Sequence, residues 1–149
     1  MTTMTFSIFI QAPPEKVFPL VGDLLRHPEW ATDKIKMEAT SSGTMGVGSQ
    51  YRSIANFKGF TIVDELQVIE SQPSTRFAFT VKDIAGRLTH QFILHAQSEG
   101  TSVERSASVE EKSLFSKMYH RIMMPILMPF IASEMNKALQ LLKARVEQG

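Results

Sequence analysis

The feature that most constrains the fold is a helical pattern at the C-terminal end of the sequence, from about Ser113 to Gln148. It is the only long helical pattern, and its second half repeats apolar residues at three- and four-residue spacing: Met135, Ala138, Leu139, Leu142 and Val146. An amphipathic helix of this kind must cover an apolar surface. The first half differs, because residues 122–132 read IMMPILMPFIA and are apolar on every side. Such a segment is either buried all round or faces an apolar partner.

The remaining sequence predicts that this partner is an antiparallel sheet. Two short helices are expected at about residues 14–25 and 28–32. Short connections favour antiparallel neighbours, and we expect positive φ angles at Gly59, Gly86 and Gly100, which lie at turns. Seven segments have the alternation and composition of strands, namely 5–11, 35–40, 50–57, 60–70, 76–81, 87–97 and 101–110.

This order of elements predicts an α+β fold in one domain, residues 1–149. A curved sheet of seven antiparallel strands would wrap around the long C-terminal helix, with two short helices after the first strand. Residues 133–147 would then be a structural clamp with a solvated outer face. A strongly curved sheet leaves space beneath the helix, and that space is the natural place for a ligand.

Composition and spacing argue against several classes of function. The net charge is +1, with 16 basic and 15 acidic residues spread along the chain, so no nucleic-acid partner is expected. There is no cysteine, which excludes disulfides and thiolate sites. The four histidines, His27, His90, His95 and His120, lack metal-ligand spacing, so we expect no metal and no cofactor.

Neither end of the sequence predicts a targeting or membrane-spanning segment. The N-terminal residues lack the basic region and long apolar core of a signal peptide. The apolar run at 122–132 is shorter than the roughly 20 residues that a helix needs to cross a bilayer. We therefore expect a cytoplasmic protein.

Short motifs in a fixed order connect the sequence to a known superfamily. They are IQAPPEKVF at 10–18, DL at 23–24 with HPEW at 27–30, GVGSQY at 46–51, ESQPSTRF at 70–77 and GTSV at 100–103. In these motifs the chain resembles the START-like (SRPBCC), helix-grip superfamily, also called the polyketide cyclase/dehydrase and lipid-transport superfamily. The birch pollen allergen has the same general fold. The resemblance covers nearly the whole length.

The resemblance implies a deep, mostly apolar cavity between the curved sheet and the C-terminal helix. Members of the superfamily bind lipids, sterols, polyketides, plant hormones or quinones, and a minority are cyclases or aromatases. The matching motifs are structural, so no catalytic residue is carried over with them.

Polar residues on the inward phase of a strand are the candidates for chemistry. His90, Arg105 and Asp64 each fall among the apolar residues of their strand, so all three are predicted to point towards the cavity. The histidine and the arginine could polarise or clamp a carbonyl or carboxylate of a ligand, which makes them the candidates for catalysis. In the alternative interpretation, Asp64 and Arg105 satisfy each other as an ion pair at the rim. A β-bulge in any strand would exchange inward and outward residues.

The remaining candidates are apolar or aromatic. Trp30 could line the cavity mouth or wedge the short helix against the sheet, and the resemblance favours the packing role. Tyr51 could line the cavity or be exposed. Pro125 and Pro129 would kink or interrupt the last helix and form a hinge there. The other predicted ligand-binding residues are Phe92, Met123, Leu127, Phe130 and Ile131, and Ile126 would complete the roof.

Three functional hypotheses follow. The first is non-enzymatic binding or transport of an apolar small molecule such as a lipid, polyketide or quinone. The second is an aromatase/cyclase or dehydrase acting on a polyketide-like substrate through His90 and Arg105, with Tyr51 as a further candidate. The third is a protein that contacts a membrane or a partner subunit, such as a second copy of itself, through residues 115–131. Four basic residues would suit an anionic surface, although they are a weak signal: Lys112, Lys117, His120 and Arg121.

Overall fold

Seven strands, two α-helices and one 3₁₀ helix make up the part of the chain that the structure describes. The structure is a computed structural model, and it describes residues 2–32, 34–43, 46–57, 59–83, 86–110 and 113–149, without the side chains of residues 2, 57, 83 and 116. The elements are β1 (Thr2–Ile10), α1 (Pro14–Val21), the 3₁₀ helix (Leu24–Glu29), β2 (Ile35–Ala39), β3 (Gln50–Phe57), β4 (Phe60–Gln72), β5 (Arg76–Asp83), β6 (Gly86–Gln97), β7 (Gly100–Glu110) and α2 (Leu114–Gln148).

The strands form one antiparallel sheet in the order β1-β7-β6-β5-β4-β3-β2. Consecutive strands from β2 to β7 are neighbours, whereas β1 joins the far edge by pairing with β7, from Thr2 opposite Val109 to Ile10 opposite Thr101. The sheet curves around the C-terminal helix. The predicted α+β helix-grip fold is therefore confirmed.

The second half of α2 closes the core over the sheet. Ala138, Leu139, Leu142 and Val146 are all buried, in one cluster with residues of β1, α1 and the central strands. Burying a leucine side chain contributes about 1.5–3 kcal/mol, so these four residues hold the helix on the sheet. Lys143 adds a polar contact, because its Nζ donates a hydrogen bond of 2.9 Å to the carbonyl of Phe9 at the end of β1.

The second short helix differs from its prediction. A helix at 28–32 was expected, but the 3₁₀ helix begins at Leu24 and ends at Glu29. Asp23 sets this earlier start, since its carboxylate accepts a hydrogen bond of 3.0 Å from the backbone N–H of Leu25. Within this 3₁₀ helix Leu24 is fully buried, whereas Leu25 is 43% exposed.

The two prolines do not interrupt α2, which runs continuously from Leu114 to Gln148. Pro125 and Pro129 are four residues apart and both are exposed. Each lacks the N–H that would bond to the carbonyl four residues earlier, at Arg121 and Pro125. Because these positions lie on the exposed side, water can satisfy the two carbonyls, and the helix tolerates the prolines.

The glycines at the turns have two different roles. Gly59 and Gly86 have φ angles of 85° and 137°, as predicted. The prediction of a positive φ is wrong for Gly100, which is needed for close packing instead. A Cβ atom at this position would overlap the carbonyl oxygen of Ile10 in the neighbouring strand. In the described ranges, no helix is both long and apolar enough to cross a membrane.

Candidate functional site

A pocket of about 440 Å³ lies between the concave face of the sheet and α2. Its wall on the sheet side comes from strands β2 to β7, and α2 covers it with Phe130, Ile131 and Met135. His27 and Trp30, at the end of the 3₁₀ helix, form a third side. Most lining side chains are apolar. The polar exceptions are spread over four strands, the 3₁₀ helix, the segment after it and α2. The pocket has the size and composition of small-molecule sites.

Arg105 on β7 supplies a positive charge to this pocket. Its Cζ lies 5.1 Å from the centroid of the Phe92 ring and 5.7 Å from that of Trp30, so two aromatic faces contact the guanidinium. The residue is partly exposed, but its Nε is fully buried and has no hydrogen-bond partner. Burial lowers the pKa of Arg105 to about 10, so the group remains protonated at neutral pH.

Arg105 does not form the ion pair with Asp64 that the sequence suggested as an alternative. Both residues line the pocket, but only burial affects the pKa of Arg105. The reason is their separation across the sheet, because Asp64 is on β4 and Arg105 is on β7, with β5 and β6 between them. The cation therefore faces the pocket without this carboxylate beside it.

His90 on β6 presents a neutral imidazole to the same pocket. Its side chain is 9% exposed, and its ring stacks on Phe79 of β5, with centroids 5.1 Å apart and planes inclined by 19°. Its Nδ1 is buried and has no hydrogen-bond partner. Burial, and then the charge of Arg105, lower the pKa of His90 from 6.5 to about 3. The ring is therefore uncharged at neutral pH.

His27 is a lining residue that the sequence analysis missed. Its Nε2 donates a hydrogen bond of 2.8 Å to the carbonyl of Val21, and aromatic rings surround it, with Trp30 at 4.6 Å and Phe79 at 5.7 Å between centroids. Burial lowers the pKa of His27 from 6.5 to about 4. The residue lies in the 3₁₀ helix, where no strand phase predicts its direction. The only sequence signal for His27 as a lining residue was its position three residues before Trp30.

The pocket is lined by a subset of the predicted ligand-binding residues, namely Trp30, Asp64, His90, Arg105, Phe130 and Ile131. Trp30 combines both roles considered for it, since it lines the pocket and its Nε1 donates a hydrogen bond of 3.2 Å to the carbonyl of Leu20. Among the described residues, no cluster of histidine and carboxylate side chains could hold a metal ion.

Four predicted ligand-binding residues lie outside the pocket lining: Tyr51, Phe92, Met123 and Leu127. Phe92 is fully buried, and its ring supports the guanidinium of Arg105. Tyr51 is buried in the core and also borders a separate depression on the sheet. Met123 and Leu127 are half-buried on α2, where only the stretch from Phe130 onwards reaches the pocket.

The first half of α2 carries exposed apolar side chains instead of being buried all round. Phe115, Met118, Ile122, Ile126 and Phe130, here called the α2 stripe, are between 54% and 75% exposed and repeat at three- and four-residue spacing. No acidic residue occurs between residues 113 and 133. Phe130 also lines the pocket, so the stripe reaches its edge.

Comparison with known proteins gives the same fold. A family model described as polyketide cyclase/dehydrase and lipid transport matches residues 1–147. A Chromobacterium violaceum protein has a similar structure, with a TM-score of 0.75 and 19% identity over 99% of each chain. A Thermus thermophilus protein has a TM-score of 0.76 and 18% identity over 99% of this chain and 98% of that one.

The protein Ara h 8.0201 has a TM-score of 0.71 and 16% identity over 99% of both chains. No protein of curated function matches the sequence. At these identities, the structural likeness concerns the fold alone.

Proposed function

Since the chain belongs to the polyketide cyclase/dehydrase and lipid-transport family, we propose that it binds or transports an apolar small molecule in the pocket beneath α2. The observation that carries this proposal is a space of about 440 Å³ whose lining is mainly apolar and aromatic. Filling such a space with an apolar ligand removes apolar surface from water on both partners. Lipids, polyketides and quinones all have this chemistry.

The single tryptophan provides a direct assay, because Trp30 lines the pocket and is 2% exposed. Nile red, an uncharged apolar dye, should bind to the protein, change the fluorescence of Trp30 and become brighter itself. Native mass spectrometry of protein purified from its own cells should show a bound apolar molecule.

A matched pair of variants tests whether the dye binds in the pocket beneath α2. Ser53 is half-buried in the pocket wall on β3, so Ser53→Phe should fill part of the space and weaken dye binding. Thr61→Phe adds the same ring at an exposed site on β4 and should bind the dye as the unchanged protein does. The proposal fails if the unchanged protein binds no apolar probe, or if Ser53→Phe binds it equally well while remaining folded.

A cyclase or dehydrase activity is the second candidate, and the pairing of a neutral imidazole with a cation in one pocket favours it. His90 could accept a proton from a carbon next to a ligand carbonyl, while Arg105 stabilises the enolate oxygen that forms. Binding is ranked first because a pKa of about 3 makes His90 a weak base at neutral pH. Turnover of a polyketide substrate that is lost in His90→Gln and Arg105→Gln would support the activity, and unchanged turnover in both variants would reject these roles.

The α2 stripe remains a predicted contact surface for a membrane or a second copy of the chain. Its five exposed apolar side chains support this hypothesis. Flotation with liposomes and measurement of the mass in solution test it. Monomers that do not float with liposomes would remove it.

A further inference from the structure

We propose that Arg105 and His90 form an anion-binding subsite in the pocket wall, so that the ligand is an apolar molecule carrying one carboxylate or a similar anionic oxygen group. This inference rests on the proposed function, since it concerns the polar end of the ligand that the pocket would hold.

The charge of Arg105 is not compensated by an anion within the described part of the chain. Among the described residues, it forms no ion pair, and its Nε is buried without a hydrogen-bond partner. The rings of Trp30 and Phe92 contact the guanidinium, but an aromatic face accepts no pair of directed N–H bonds. A partly buried cation with a buried donor that has no acceptor is unfavourable unless a counter-ion compensates it. A carboxylate fits the planar fork of a guanidinium through two parallel hydrogen bonds.

The second group of the subsite is His90, on the neighbouring strand. His90 is 9% exposed and lines the same pocket, and its Nδ1 also lacks a hydrogen-bond partner. A neutral imidazole donates one hydrogen bond, so His90 could contact the second side of an anionic oxygen without adding charge. The strand pairing favours this, because Arg105 is opposite Phe92 and His90 is two residues away on β6.

The other charged groups of the pocket limit the ligand to one anionic group. Asp64 lies on β4, and Glu134 lies on α2 with its Oε1 3.7 Å from Nζ of Lys137. A second anionic group near either carboxylate would be repelled. The remaining wall is largely apolar, which suits a hydrocarbon or aromatic body.

Three ligands of equal chain length test the inference: dodecanoate, its methyl ester and dodecylamine, each used to displace Nile red. Charged hydrogen bonds of this kind are strong enough that dodecanoate should displace the dye at about tenfold lower concentration than the ester, and dodecylamine should be weakest. Arg105→Gln and Arg105→Met should still bind Nile red but should lose the preference for the acid. Arg87→Met, which removes an exposed arginine on β6, should keep it.

The outcomes separate the two proposals. If Nile red binds and the ester displaces it as well as the acid does, the anion subsite is refuted while apolar binding stands. If no probe binds, the proposed function fails and the subsite fails with it. A preference that survives in folded Arg105→Gln would also overturn the assignment to Arg105. The comparison of the three ligands uses the unchanged protein, so it decides even if a variant does not fold.

Discussion

Replacing Arg105 by methionine should stabilise the folded protein, because the guanidinium is held at a site that does not compensate its charge. Burial lowers its pKa well below the ordinary value of an arginine, to about 10. At 1.36 kcal/mol per pH unit, folding disfavours the charged form by about 3 kcal/mol. The cation–π contact with Trp30 and Phe92 offsets roughly 0.5–2 kcal/mol of this cost. The cost is present below about pH 10 and disappears at higher pH, once the unfolded chain also loses the proton.

Methionine has a similar length and adapts to apolar surroundings, so Arg105→Met should avoid most of this cost without leaving a large void. The expected gain is about 1–2 kcal/mol in the free energy of unfolding, which corresponds to a rise in Tm of about 2–8 °C for a chain of this size. Thermal and urea unfolding at pH 7.5 measure it.

The matched control is Arg87→Met, which removes an exposed arginine from β6 and should change stability by less than about 0.5 kcal/mol. A variant Arg105→Met that is less stable than the unchanged protein by 1 kcal/mol or more would refute the reasoning. It would mean that the folded protein already satisfies the guanidinium. A gain in stability with a loss of ligand preference would instead mark Arg105 as a residue retained for binding.

Three further predictions concern the structure around the pocket. The unfolded chain protonates His27 and His90 below pH 6.5, whereas the folded protein keeps them neutral down to about pH 4 and 3 respectively. The free energy of unfolding should therefore fall as the pH falls from 7.5 to 5.0, by about 2 kcal/mol for each histidine. Urea midpoints at the two pH values measure this, and a midpoint independent of pH would contradict it. Gly100→Ala should destabilise the folded protein by about 1–3 kcal/mol, because its Cβ would overlap a carbonyl of β1. Gly46→Ala is the control and should be neutral, because its Cβ meets no atom within 4 Å. Equal urea midpoints for the two variants would count against the packing role of Gly100. Thr101→Val should cost about 1–3 kcal/mol, since the fully buried hydroxyl donates a hydrogen bond of 2.7 Å to Ala12; an unchanged Tm would show that the hydrogen bond is dispensable.

Strand alternation carries the most information about the site in this sequence. The alternation of apolar residues predicts that His90 and Arg105 face inward, and both line the pocket in the structure. The alternation is kept because β6 and β7 pair without a register shift from Arg87 to Gln97. In β4 the register with β5 shifts between Val68 and Glu70, but Asp64 lies before the shift and keeps its inward direction. The face of the sheet towards which a side chain points depends on its neighbours in the same strand, so the sequence can predict it.

Distances between elements are not local, and the sequence predictions were weakest there. Asp64 and Arg105 have the same inward phase, yet only the strand order reveals that two strands separate them. His27 was missed because its direction follows from the cap at Asp23 and from a hydrogen bond to Val21. Met123 and Leu127 were predicted to cover the pocket, but they do not line it. A helical pattern does not show which part of the helix lies over the pocket.

The pairing of β1 with β7 has a consequence for how the site forms during folding. Thr2 pairs with Val109 and Ile10 with Thr101, so the first strand has no partner until most of the chain is available. Contacts between residues so far apart in sequence slow folding, and the apolar face of β1 stays exposed to other chains in the meantime. Arg105 lies on β7, the strand with which β1 pairs, and α2, which covers the pocket, follows β7 in the sequence. A ligand would consequently meet a complete pocket only in the native state, and its binding energy would be added wholly to the stability of that state.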